Sequence, residues 1–299
     1  MRVGARMAML NRAEELRQAG LAKVRENEPE EALALYDQAL QLSTSEETSE
    51  LITINKADAL IILERGGPEV SELARIVMRR RNPRHVYLAA YALQYKYRLE
   101  NELKRALFYG ELALRTADEA GERLWRRIVL IELGNMYTSD SNNARAIECF
   151  EAALLINEES HANQDLALSA HGVAMESLGY CHMLEGNLEK GIEYVQESLT
   201  ILNDPFSMTE AYVDLCYGYL EAGSLDEARS YGERALELAT DDRHVRNSHY
   251  LLGEIYVTLG DSEKADHHFD QLARFYPEFK NLKSLLYAID LRSMVNLKL

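Results

Sequence analysis

Along most of the chain apolar residues recur at intervals of three and four, a spacing that puts them in one stripe along a helix. The stretch from Leu51 to Leu63, the Gly66-Gly67-Pro68 break and the stretch from Val70 to Met78 show the unit in its barest form, helix then turn then helix. Elsewhere the unit carries a phrase. Leu133-Gly134-x-x-Tyr137 followed by Ala146-x-x-x-Phe150-x-x-Ala153 returns as Leu252-Gly253-x-x-Tyr256 followed by Ala265-x-x-x-Phe269. Looser copies run through Leu16, Gly20, Ala32, Tyr36 and Ala39, through Leu178, Gly179, Gly191 and Val195, and through Tyr212, Leu215, Tyr219, Ala228 and Ala235. Another keeps Tyr97, Ala106 and Ala113 but has Gln94 at the glycine position. A chain of such copies buries its core by stacking neighbours.

Small residues and turn formers fix the geometry of each copy. Glycine inside a helix costs about 1 kcal/mol relative to alanine, so Gly20, Gly134, Gly179 and Gly253 need a packing reason. Close approach to Ala32, Ala146, Gly191 and Ala265 on the second helices is the expected one. Five residues before each small second-helix residue stands Asn27, Asn101, Ser141, Gly186, Gly223 or Gly260, read as stop signals in left-handed backbone. Acidic starts follow at Glu28-Pro29-Glu30-Glu31, Leu225-Asp226-Glu227 and Ser262-Glu263, where negative charge suits a helix N-terminus.

These motifs resemble the tetratricopeptide repeat, whose pattern is W-x2-L-G-x2-Y, A-x3-F and P over about 34 residues. Its closing proline is present at Pro277, whereas Trp125 lies outside the tryptophan position, and the second-helix markers are spaced by 37 to 45 residues, longer than the usual period. The resemblance implies an all-α, right-handed superhelical solenoid of antiparallel helix pairs, one domain over residues 1–279. Seven repeats are assigned, at 10–43, 48–81, 84–118, 124–157, 165–203, 208–240 and 244–277, the longest connection lying around Asn157 to Asp165. Residues 280–299, with Leu282, Leu285, Leu286, Ile289 and Met294, are expected to form a C-terminal capping helix. Its ending, Val295 to Leu299, is apolar enough that a homodimer contact through 282–299 is the alternative.

Composition narrows the class. With 47% hydrophobic and 27% charged residues and five prolines, the chain suits a soluble helical protein. Cys149, Cys181 and Cys216 fall on helix positions where small residues sit, and read as core residues in a reducing compartment. No apolar run reaches the ~18 residues of a membrane span, and residues 1–11 lack the apolar stretch of a secretory signal, so the expected location is the cytoplasm. A net charge of -16 disfavours nucleic acid and anionic membrane as partners. Between Arg75 and Arg127, however, thirteen basic side chains face six acidic ones, a local +7 that suits attraction between neighbouring repeats or docking of an acidic partner.

The resemblance also implies where ligands would bind. First helices of the family line a concave face, and its peptide-contacting positions fall here on Tyr91 and Tyr95, Ile131 and Asn135, Glu176 and Tyr180, Val213 and Tyr217, and Tyr250 and Glu254, with Arg98, Glu210, Asp214 and Asn247 beside them. These tyrosines either fill gaps between successive first helices or form a wetted, hydroxyl-bearing face, and seventeen tyrosines against six phenylalanines tip the reading towards the second. Tyr97, Tyr137, Tyr219 and Tyr256 stand at the family's structural tyrosine. The variant that grips chaperone carboxylates is excluded by Ile131 beside Asn135 and by Glu176, Glu210 and Asp214 on later helices. Carboxylates beside tyrosines favour a basic or amphipathic partner.

No chemistry competes with binding. His267 and His268 are adjacent and point about 100° apart on a helix, and the pairs His244/His249 and His171/His182 are mismatched for a joint site, so all are read as surface or packing residues. Phosphate loops, dinucleotide glycine motifs, zinc-protease motifs and serine elbows do not occur, and no cofactor, metal or catalytic residue is assigned. The expectation is a non-enzymatic cytosolic scaffold or adaptor binding a peptide or protein segment. The alternatives are a ligand-responsive regulator and a structural protein assembling through its last helix.

Overall fold

The computed structural model describes residues 2–156, 164–276, 279–288 and 297–298. Among them are fifteen helices: α1 Arg2–Arg25, α2 Pro29–Leu42, α3 Glu46–Ile62, α4 Pro68–Arg79, α5 Pro83–Leu99, α6 Leu103–Ala120, α7 Arg123–Ser139, α8 Asn143–Leu154, α9 Gln164–Leu184, α10 Leu188–Ser198, α11 Pro205–Glu221, α12 Leu225–Leu238, α13 Asp242–Thr258, α14 Ser262–Leu272 and α15 Phe279–Ala288. The described residues form no strand, and successive helices pack as pairs, α1 on α2, α5 on α6, α9 on α10, α11 on α12 and α13 on α14. The chain divides into two compact units, residues 1–129 and 130–299. Residues 157–163, Pro277 and residues 289–296, which carried parts of the loop, motif and dimer expectations, lie outside the described residues.

The turn signals are where the sequence places them. Asn27, Asn101, Ser141, Gly186, Gly223 and Gly260 all adopt left-handed backbone, with φ between 56° and 81°. At each, the following N–H returns to a carbonyl five residues back, as from Glu102 to Tyr97, Asn142 to Tyr137, Ser224 to Tyr219 and Asp261 to Tyr256, at 2.8–2.9 Å. These Schellman closures satisfy the last carbonyls of the first helix and turn the chain into the second.

The structural tyrosines therefore stand where each first helix ends, and their rings bind the hairpin together. Tyr97 stacks on Tyr109, Tyr219 on Tyr231 and Tyr256 on His268, all at 5.5 Å, while His182 replaces tyrosine and stacks on Tyr194 at 5.8 Å. Arg105, Arg145 and Lys264 cover the Tyr97, Tyr137 and Tyr256 rings at 5.1–5.6 Å.

The small first-helix residues correct the expectation made for them. Where Gly20, Gly134 and Gly253 would carry a Cβ, it would strike the rings of Tyr36, Phe150 and Phe269, four residues beyond the paired alanine, so rings roof these glycines. Only Gly179 and Gly191 meet backbone to backbone: a Cβ on either would come within 2.6–2.7 Å of the other's carbonyl oxygen.

Contacts between hairpins repeat at nearly one repeat's separation. Arg81 pairs with Glu46 at 2.6 Å, Asn82 Nδ2 donates to Glu47 at 2.8 Å and His85 Nδ1 lies 2.7 Å from Glu50, each pair 35 residues apart. Arg75 and Arg79 pair with Glu72, and Arg126 with Asp118. Much of the basic stretch is thus engaged within the 1–129 unit.

At the far end α15 packs on α14, burying Leu286, setting Tyr287 edge-on to Phe269 at 5.6 Å and pairing Lys283 with Asp266 and Asp270. Of the capping helix expected over 280–299, α15 is described over Phe279–Ala288, and Leu297-Lys298 forms a turn.

One packed histidine pair yields a pH prediction. His249 Nδ1 and His268 Nδ1 lie 3.0 Å apart, and burial, then the neighbouring His249 and His267, pushes His268 from 6.5 down to about 4. A histidine pKa lowered by folding means that the unfolded chain binds the extra proton between these values. Stability is therefore lost as pH falls from about 6.5 towards 4, by about 1 kcal/mol once solvent screening of this half-exposed ring is allowed for. His268→Phe, which keeps the stack on Tyr256, should flatten that segment of a urea-midpoint against pH curve; an unchanged slope would contradict the assignment.

Candidate functional site

Three successive first helices of the 130–299 unit, α9, α11 and α13, present one polar cluster on a largely apolar unit. Helix α9 contributes Glu176 and Tyr180 a turn apart, α11 contributes Glu210, Asp214 and Tyr217, and α13 contributes Arg243, His244 and Asn247. Spacings of three and four residues put each set on one helical face. The N-termini are fixed by side-chain caps: Asp204 accepts from Ser207 N–H and Asp241 from His244 N–H, both at 2.8 Å.

The cluster closes around Leu297-Lys298. The Lys298 ammonium donates to Glu176 Oε1 at 2.6 Å, Glu210 Oε1 at 2.8 Å and Asp214 Oδ2 at 2.8 Å, using all three of its protons. It also lies 4.7 Å from the Tyr180 ring centroid, in cation-π range. The side chain is only 13% exposed and that of Asp214 is fully buried. Leu297 is buried in the surrounding core, and its carbonyl accepts from Asn247 Nδ2 at 2.7 Å and Arg243 Nη1 at 3.2 Å.

A second layer holds Glu210. Arg243 grips it with two hydrogen bonds, at 2.8 and 2.5 Å, and His244 Nε2 lies 2.6 Å from its Oε2. Burial opposes ionisation of Glu210, but Lys298, His244 and Arg243 together hold its carboxyl well below the usual range. Asp214 goes the other way: burial drives it well up against the pull of Lys298, and the neighbouring carboxyls add to the rise. Three carboxyls around two permanent cations carry surplus negative charge, and the rise of Asp214 is the direction that relieves it. Burial works against the Lys298 ammonium, but Asp214, Glu176 and Glu210 hold it well above its ordinary value.

The model for the tetratricopeptide repeat matches residues 207–278, covering α11 to α14. Residues 207–278 carry tetratricopeptide repeats. Similar solved structures agree with the fold across a wider span of this chain. A signal-transduction ATPase with a tetratricopeptide-repeat sensor, from Pyrococcus horikoshii, is 18% identical at a TM-score of 0.68, over 91% of this chain and 43% of that one. NprR, solved with its cognate peptide NprX, is 15% identical at 0.63, over 92% and 81%. The apo form of RapI is 15% identical at 0.62, over 91% and 98%. At such identities the likeness shows the fold alone. A search of curated proteins finds no match.

Within the repeats the structure brings Glu176, Tyr180, Glu210, Asp214 and Asn247 together on one segment, with Tyr217 against Tyr180 at 6.0 Å. Val213 and Tyr250 belong to the apolar core, Glu254 is buried on α13, and Ile131 and Asn135 lie on α7, buried and half-buried. Tyr91, Tyr95 and Arg98 belong to the 1–129 unit, where Tyr91 stacks on Tyr87, Tyr87 on Trp125, and Arg98 covers Tyr95. The wetted tyrosine face is corrected for the 130–299 unit: Tyr180, Tyr217 and Tyr250 are all buried, Tyr180 with Lys298 over its ring and the others in the core.

Sequence reasoning missed Arg243, His244 and Lys298. A signal for the first two existed, since they follow Glu210 by 33 and 34 residues, close to one repeat. Cys181 and Cys216 are buried as expected of core residues, whereas Cys149 is only half-buried; burial pushes the thiols of Cys149 and Cys181 up to about 11, and that of Cys216 further. No described helix is long and apolar enough to cross a membrane.

Proposed function

We propose that the face built by α9, α11 and α13 binds a peptide segment of a partner protein, and that the chain is a non-enzymatic interaction scaffold working in the cytoplasm. The observation that carries this reading is the treatment of Leu297-Lys298. Its apolar side chain is buried, its carbonyl is held by an asparagine and an arginine, and its charge is matched by three acids. That combination of main-chain and side-chain capture is how a peptide is read. NprR, of similar fold, is solved in complex with its cognate peptide, which supports a peptide as the ligand class. Surplus carboxylates in the site favour a basic segment.

A randomised octapeptide library screened against the whole chain tests the reading. Binders should be enriched in lysine, should protect α9, α11 and α13 from hydrogen exchange, and should bind Asn247→Ala at least about tenfold more weakly, the loss of a hydrogen bond in a buried site. Absence of binders, or protection confined to other helices, would overturn it.

A further inference from the structure

The acidic site is already filled, and what fills it is part of the same chain. Glu176, Glu210 and Asp214 offer oxygens within 4.8 Å of one another, each 2.6–2.8 Å from the same Lys298 nitrogen. A compact ammonium with three divergent protons matches that arrangement, whereas a planar guanidinium does not. Lys298 satisfies all three oxygens, and Asn247 and Arg243 set the register by holding the carbonyl one residue earlier. The site thus distinguishes an apolar residue followed by lysine from other dipeptides by shape and by charge.

Resting on the peptide-binding reading, we propose that Leu297-Lys298 is an internal ligand mimic seated in a lysine-reading pocket, and that a partner peptide bearing an apolar-lysine pair enters by displacing it. Emptying the pocket without replacement would leave three carboxyls facing one another on buried helix faces, so exchange of one lysine for another is the low-energy route. A tethered segment competes at an effective concentration of about a millimolar, so the chain's own segment keeps weak or unrelated ligands out. Among the described contacts this one joins residues 122 apart in sequence, Lys298 to Glu176, and its release withdraws one donor from all three carboxyls at once.

The test uses the full chain and a fluorescein-labelled peptide copying residues 290–299, beside the same peptide with methionine in place of its lysine. Wild type should bind the lysine peptide weakly. Lys298→Ser should bind it at least about tenfold more tightly because the competitor is gone. The methionine peptide should bind Lys298→Ser at least about tenfold more weakly than the lysine peptide, and Asp214→Asn in that background should narrow the difference.

Equal binding of the two peptides would overturn the lysine pocket while leaving peptide binding intact. No gain on Lys298→Ser would overturn displacement, and failure of both peptides on every chain, with a library that still yields binders, would overturn this proposal alone. Should circular dichroism show Lys298→Ser unfolded, acetic anhydride footprinting of wild type decides instead. Acetylation of Lys298 should be slow beside that of the exposed Lys264 and should rise at least about tenfold with excess lysine peptide but not methionine peptide. An unchanged rate would overturn it.

Discussion

Gly191→Ala should lower the unfolding free energy by about 3 kcal/mol, the upper end of the cost of overpacking a close-packed core. The added methyl carbon would sit 2.4 Å from Met183 Cγ, 2.6 Å from the Gly179 carbonyl oxygen and 3.0 Å from the Met183 backbone nitrogen. Two of those neighbours are main chain in α9, so no rotamer change relieves the clash and the α9–α10 pair must separate. Alanine's better helix propensity returns at most about 1 kcal/mol. Gly253→Ala meets the Phe269 ring as its nearest neighbour and should cost less, because a side chain can shift where a backbone cannot. Urea denaturation at 25 °C measures both, and a Gly191→Ala chain as stable as wild type would contradict the packing described.

Glu210→Ala should cost about 3 kcal/mol, since removing one member of a buried ionic cluster strands the rest. It deprives Arg243 of two hydrogen bonds, His244 of its acceptor and Lys298 of one of its three carboxylates. The exposed pair Arg12 and Glu15 offers the contrast: Glu15→Ala should change stability by less than about 0.5 kcal/mol. The pH dependence follows from the depressed carboxyl of Glu210. A folded pKa below the unfolded value gives stability that is present above the unfolded pKa and lost as pH falls through the folded one. The gap between wild type and Glu210→Ala should therefore persist through mild acid and close only well below the ordinary glutamate range. Denaturant midpoints between neutral pH and strong acid would show it, and a gap that closes near the ordinary glutamate pKa would remove Arg243, His244 and Lys298 as its cause.

Much of this molecule is written locally, and local features are what sequence reveals. Asn27, Asn101, Ser141, Gly186, Gly223 and Gly260 announce their turns because few residues tolerate that backbone. Tyr97, Tyr219 and Tyr256 are identifiable because each serves the same stack in its own hairpin. The carboxylates and Asn247 were legible through the repeat register, which assigns each first-helix residue to a face. What covers that face was not. Leu297-Lys298 belongs to no copy of the repeat, so periodicity says nothing of its place, and its apolar neighbours read as one more helix. Nor could the register tell a roofing ring from a touching alanine: Phe150 and Phe269 occupy the space opposite their glycines because rings reach farther than the Cβ positions that patterns record.

The long reach of Lys298 has a consequence for how the chain is made. Hairpin stacks and the ladder between neighbouring hairpins link residues close in sequence, so they can form as soon as their own stretch of chain exists. The three acids that Lys298 joins come from helices that must already stand side by side, and the lysine is made only after both of those helices. Its seating is a checkpoint: only when α9 and α11 are in register does a nascent chain find a home for that charge.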